Sequence, residues 1–228
     1  MKLWQALTEK SWLEEGIPPA PTASLAQRRF LSQRTALGLF LAIATILFSL
    51  FAVTYLTHSQ YPGFLALTGE AWRPLGDLSQ LWINTALLVT SSLLMQWSLN
   101  NARAGKPALS AGTLLGAALF ALQFLVAQLW FWQQLNGMGY GVTSNPSSSY
   151  FFLFTGVHGL HLLGGVIVLY SPLSHMWRAS GAVPIINSLR LCTLYWHYLL
   201  SIWLLLFLLL TRSPETYRVL AALCGVEA

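Results

Sequence analysis

Five apolar stretches follow one another along the chain, at Thr35–Leu56, Leu81–Leu99, Leu109–Leu135, Tyr150–Tyr170 and Leu191–Thr211. About 20 helical residues at ~1.5 Å each cover the ~30 Å hydrocarbon core of a bilayer. The pattern predicts an all-α integral membrane protein, a bundle of five transmembrane helices. The polar positions inside these stretches fall at helical spacing. In the second, Asn84, Leu88, Ser91 and Met95 form one stripe, with Thr85, Ser92 and Gln96 beside it. A polar stripe in a membrane helix turns toward other helices rather than lipid. The third carries Gly112 and Gly116, a GxxxG spacing that permits close backbone approach, and then Gln123 and Gln128. The fifth has one polar focus at Tyr195–Tyr198, which includes Trp196 and His197.

The fourth stretch, YFFLFTGVHGLHLLGGVIVLY, organises the rest. His158 and His161 lie near its middle, three residues apart and so about 60° apart around the axis, on one face with Phe154 and Gly165. Polar groups at that depth are costly and are expected to face protein or a cavity.

Composition sharpens this picture. Of 228 residues, 55% are hydrophobic and 8% charged, against about 25% charged in soluble domains. The seven carboxylates are Glu9, Glu14, Glu15, Glu70, Asp77, Glu215 and Glu227, and none falls inside an apolar stretch. Lys and Arg set the orientation. Nine of them (Lys2, Lys10, Arg28, Arg29, Arg34, Arg103, Lys106, Arg178 and Arg190) fall on one side, and three (Arg73, Arg212 and Arg218) on the other. The N-terminus is therefore expected in the cytoplasm and the C-terminus outside. The net charge of +5 is a topology signal, since the basic residues form no aromatic-interleaved patch suited to nucleic acid.

Three regions result. Residues 1–34 form a cytoplasmic N-terminal segment, in which Leu3, Trp4, Leu7 and Trp12 would lie along one face of an interfacial helix, and no cleavable signal is visible. Residues 35–211 form the transmembrane domain. Residues 212–228 form a tail in which Pro214, with Ser213 as cap, suits a short helix. Cys192 and Cys224 lie a membrane thickness apart, too far for a disulfide.

The intramembrane histidines, His158, His161 and His197, admit three readings. They suit haem b, which takes an axial histidine from each of two helices. They suit a metal ion held by HxxH and a third histidine, although no carboxylate is near to orient the ligands. They equally suit hydrogen bonds across the bundle. Cation transport fits poorly, because a carrier Asp or Glu within the membrane is missing.

Four motifs then resemble one family in order and spacing, across about Leu39 to Leu210. YFFLFTGVHGLHLLGG is similar to the signature of the third subunit of haem–copper terminal oxidases (cytochrome c oxidase subunit III), in its short five-helix bacterial form. YWHYLLSIWLLLF resembles that family's last helix, INTALLVTSS its NTxxLLxSS helix, and FLVAQLWFW its Gln-containing helix. The resemblance implies a non-catalytic subunit in a bacterial inner membrane. It would pack against catalytic subunit I, with subunit II alongside, in a respiratory complex that reduces oxygen to water. Haem and copper are then expected on the partner subunits and none on this chain, with phospholipid bound in the bundle. His158, His161, His197, Asn84, Gln128 and Trp196 become structural polar or lipid-cleft residues.

The small subunit accompanying nitric oxide reductases shares these motifs and is an alternative, as is a haem-b membrane anchor. Three departures stand out. Ile43-Ala44 replaces a Ser-Glu pair, Phe131-Trp132 replaces a Glu-Trp, and Leu200 stands where the WHFxD pattern has its Asp.

Overall fold

The computed structural model describes residues 25–59, 79–144, 146–178 and 181–211. The candidate N-terminal interfacial helix and C-terminal tail helix lie outside these residues. Among the described residues the secondary structure is entirely helical. The elements are α1 (Leu25–Ser59), α2 (Ser79–Arg103), α3 (Pro107–Gly137), α4 (Pro146–Val168), α5 (Tyr170–Trp177) and α6 (Ala182–Thr211).

Three of the long helices pack along seams with the 3- and 4-residue steps of a coiled coil. On α3 the buried residues are Ser110, Leu114, Ala117, Ala121, Phe124, Gln128, Phe131 and Leu135. On α6, Leu189, Cys192, Trp196, Leu199, Trp203, Leu206 and Leu210 follow the same steps. The buried face of α2 holds Asn84, Thr85, Ser91, Ser92 and Ser98 between Leu81, Leu88, Met95 and Leu99, while Trp82, Ile83, Leu93 and Trp97 point outward. This is the reverse of a soluble amphipathic helix, with polar groups inside and apolar ones outside.

That composition bears on the span count. Four segments, covering α1, α3, α4 with α5, and α6, are long and apolar enough to cross a membrane. The 25-residue α2 is not among them, because its inward stripe lowers its mean hydropathy.

Local signals set the helix ends. At the close of α2, Gly105 takes φ of 69°, the Lys106 N–H reaches the Asn101 carbonyl at 3.0 Å and the Gly105 N–H reaches Ala102 at 3.2 Å. This is a Schellman turn, and Pro107 opens α3 directly after it. Gly139 (φ 86°) repeats the motif at the end of α3, with Tyr140 bonded to Leu135 and Gly139 to Asn136.

Several helix bounds differ from expectation. The first helix begins at Leu25 rather than Thr35, and the last at Ala182 rather than Leu191. The fourth does not run unbroken from Tyr150 to Tyr170. It starts at Pro146, and a turn at Leu169 separates α4 from α5. Pro172 explains the break, since it has no N–H for the Val168 carbonyl and its ring crowds that turn.

The helix α1 contributes little to the core. Only Ala44, Phe48, Tyr55 and Leu56 of α1 are buried, so this helix stands partly away from the others. Of the GxxxG pair, Gly116 lies against Leu94, but Gly112 faces open space and makes no close approach.

Candidate functional site

The polar stripe of α2 meets α3 and α6 in a seam of hydrogen bonds between helices. The Ser91 hydroxyl donates to the Ala117 carbonyl at 2.7 Å and accepts from the Trp196 indole at 2.8 Å. Asn84 Nδ2 donates to Gln128 Oε1 at 2.9 Å, and Trp203 Nε1 to Thr85 Oγ1 at 3.0 Å. Ser98 and Ser110 exchange hydroxyl–carbonyl bonds at 2.8 and 2.9 Å near the short α2–α3 turn. Between α3 and α4, Trp132 Nε1 donates to Thr155 Oγ1 at 3.1 Å. With no water in the hydrocarbon to take their place, such bonds fix which faces meet.

The three histidines have separate environments. His197 faces α2: its Nδ1 lies 2.7 Å from Ser92 Oγ and its Nε2 3.2 Å from Gln96 Oε1. A carboxamide oxygen only accepts, so Nε2 donates and Nδ1 accepts from the hydroxyl, as a neutral imidazole requires. His161 donates from Nδ1 to the Val157 carbonyl of its own helix at 2.8 Å, and its ring sits 5.8 Å from Phe40 and 5.6 Å from Phe48 of α1.

His158 is fully buried against Phe124 and Trp203, with ring centroids 5.9 and 5.3 Å away, and among the described residues neither nitrogen has a hydrogen-bond partner. The expectation of a bond across the bundle therefore holds for His197, fails for His158, and is met within the helix by His161.

This arrangement does not fit the haem or metal readings. Both ring nitrogens of His197 are engaged on the α2 side, while the ring of His161 faces α1, so the two do not oppose each other across a common gap. No three His, Cys, Asp or Glu side chains converge among the described residues.

Where α1 stands away, a cleft of about 560 Å³ opens toward α4 and α6. It is lined by Phe40, His161, Tyr195 and Trp196, together with the polar side chains of Gln33, Ser171 and Ser188. Two adjacent glycines have opposite tasks there. A Cβ on Gly165 would lie 2.8 Å from the Tyr195 ring, so this glycine permits close α4–α6 contact and the Tyr195 hydroxyl bond to the His161 carbonyl, 2.8 Å long. A Cβ on Gly164 would meet nothing within 4 Å and leaves the cleft open. Elsewhere, Tyr198 and Thr45 tie α6 to α1 at 3.0 Å, and His58 bonds Tyr150 of α4.

The six residues singled out from sequence thus divide between three places. Asn84, Gln128, Trp196 and His197 belong to the seam, His161 and Trp196 line the cleft, and His158 sits in the aromatic core. A lipid cleft was expected, but its place beside α1 was not, nor was its lining by Gln33, Ser171 and Ser188, with Arg34 and Arg190 in a neighbouring recess. The one sequence signal pointing to the arginines was the expectation, from the bias in Lys and Arg, that both lie on the same side of the membrane.

Fold and site define a helical membrane protein whose intramembrane polar groups go mainly into joining helices. The family model for Cytochrome c oxidase subunit III matches residues 26–212, and the chain belongs to that family. Among curated relatives, it is 27% identical over 176 residues to Cytochrome bo(3) ubiquinol oxidase subunit 3 of Pseudomonas putida, covering 77% of this chain and 84% of that one. It is 28% identical over 166 residues to Cytochrome c oxidase subunit 3 of Thermostichus vulcanus, covering 66% and 76%. Heme-copper oxidase subunit I+III of Aeropyrum pernix is 24% identical over 178 residues, which is 76% of this chain and 22% of that protein.

Proposed function

We propose that this chain is the non-catalytic third subunit of a bacterial haem–copper terminal oxidase, supporting assembly and stability of catalytic subunit I. The observation that carries the reading is the α2–α3–α6 seam. Polar atoms of Asn84, Thr85, Ser91, Ser92, Trp196, His197 and Trp203, and the Gln128 Oε1, are engaged in contacts between helices, as suits a scaffold. Haem and copper belong to the partner subunits, with subunit II in the same assembly. The archaeal relative named subunit I+III supports direct packing on subunit I. No carboxylate occurs among the described residues, which argues against a proton-carrying role for this bundle.

The five-span domain is residues 35–211, with α2 crossing the bilayer because its polar face is covered by α3 and α6. Residues 1–34 are then cytoplasmic and 212–228 periplasmic, following the nine-to-three bias in Lys and Arg. The cleft beside α1 takes phospholipid. Deleting the chain from its host tests the role. Membranes should assemble less oxidase, and the enzyme that remains should start at its normal rate of oxygen uptake and lose activity during turnover. Unchanged assembly with no initial turnover would contradict a supporting role.

A further inference from the structure

Gln123 sits at the midpoint of α3, which runs from Pro107 to Gly137, and its side chain is exposed on the outside of the bundle. The inward seam of this helix passes through Ala121, Phe124 and Gln128, so Gln123 belongs to the outer face, with the exposed Leu119, Val126 and Trp130. Among the described residues the Gln123 carboxamide makes no hydrogen bond. Other outward polar side chains find a partner on their own helix: Thr45 and Ser201 each donate to the carbonyl four residues back, at 2.8 Å. Hydrocarbon offers no water to replace such a partner, and the Gln123 side chain is too short to reach headgroups about 15 Å away. An amide left unpaired at that depth is costly, so this face is ill suited to lipid. Leu119, Gln123, Val126 and Trp130 follow the 4- and 3-residue steps of a helix–helix seam. Three turns along the same face, a Cβ on Gly112 would meet nothing within 4 Å, which leaves room for a second backbone to come close.

We infer that the outer face of α3 is covered by a transmembrane helix of the catalytic partner subunit, and that the Gln123 carboxamide bonds a polar group of that helix near the middle of the bilayer. The inference rests on the proposed packing against subunit I and adds the face and the residue that make the contact. A carboxamide carries two donors and an acceptor, so the facing group is a hydroxyl, a second carboxamide, an imidazole or an uncovered backbone carbonyl. One polar residue in an otherwise apolar seam also fixes register, because sliding the partner helix by a turn would leave both polar groups unpaired. Gln123 therefore sets the depth at which the two subunits meet, while Leu119, Val126 and Trp130 supply apolar contact around it.

The test uses the full-length tagged chain in its native membranes, with p-benzoylphenylalanine placed at Val126. Irradiation followed by mass spectrometry is expected to join this chain to the haem-bearing subunit. A cross-link to a second copy of this chain, or to lipid alone, overturns the assignment. Gln123→Leu gives an independent reading. On a lipid-facing surface that change removes an unpaired amide and leaves partner retention as in wild type or better. At the inferred contact it weakens retention of the haem-bearing subunit through detergent washes by about three- to twentyfold, the range of interhelical hydrogen bonds in membranes. Gln123→Asn, which keeps the carboxamide, should fall between the two. Retention unchanged in Gln123→Leu overturns the hydrogen bond. Wild type read in the same samples reports on the proposed function: a chain that brings down no haem-bearing subunit contradicts both readings. A chain that brings it down but cross-links elsewhere from Val126 contradicts only this face.

Discussion

Ser91 and Trp196 stand 2.8 Å apart, indole to hydroxyl, and the same hydroxyl donates to the Ala117 carbonyl at 2.7 Å. One small side chain on α2 thereby joins α3 and α6 at a fully buried point. Ser91→Ala removes both bonds and leaves the Trp196 N–H unpaired in a site without water. Interhelical hydrogen bonds in membranes average ~0.6 kcal/mol and reach ~1.7 kcal/mol. Because this residue serves two, Ser91→Ala is expected to cost about 1–2 kcal/mol. Heating the purified complex and following release of this subunit checks it. Release at the wild-type temperature would show that the seam contributes nothing.

His158 and His197 differ in what they leave behind when removed. His197→Leu strips Ser92 and Gln96 of a shared partner and should loosen the α2–α6 contact. His158→Leu removes two desolvated nitrogens that have no partner, so the change should be neutral or stabilising by up to ~3 kcal/mol. The expected order of subunit retention is therefore His158→Leu at or above wild type, with His197→Leu below it. The reverse order would mean that His158 has a partner beyond the described residues.

Adjacent glycines give a sharper contrast. Gly165→Ala drives a Cβ into the Tyr195 ring at 2.8 Å, where overpacking costs about 1–3 kcal/mol. Gly164→Ala meets open space and should stay within about 0.5 kcal/mol of wild type. Thermal unfolding of the two variants decides, and equal effects would contradict the close α4–α6 packing.

The buried stripe of α2 was legible in the sequence, because Asn84, Leu88, Ser91 and Met95 keep helical spacing whatever surrounds them. So were the helical class and the family. The break at Leu169 was not, since hydropathy is blind to the missing N–H of Pro172. The true start of α1 was hidden too, because the polar residues Gln27 to Arg34 continue the helix beyond the apolar stretch. The place of the cleft, beside α1, was hidden for a physical reason. α1 is apolar nearly all round over Ala36–Val53, so no periodicity marks which face packs and which stands free. The separation of the three histidines depended on neighbours from α1, α2 and α3, and residue spacing within α4 carries no record of them.

The most direct measurement is affinity purification of the tagged full-length chain from its native membranes, with visible spectra and subunit stoichiometry taken together. The account predicts co-elution of a larger haem-bearing subunit in a one-to-one ratio. The haem absorbance should disappear when this chain is dissociated and purified alone. A chain that elutes without partners, or that keeps a Soret band by itself and loses it on changing His161 or His197, would contradict the account.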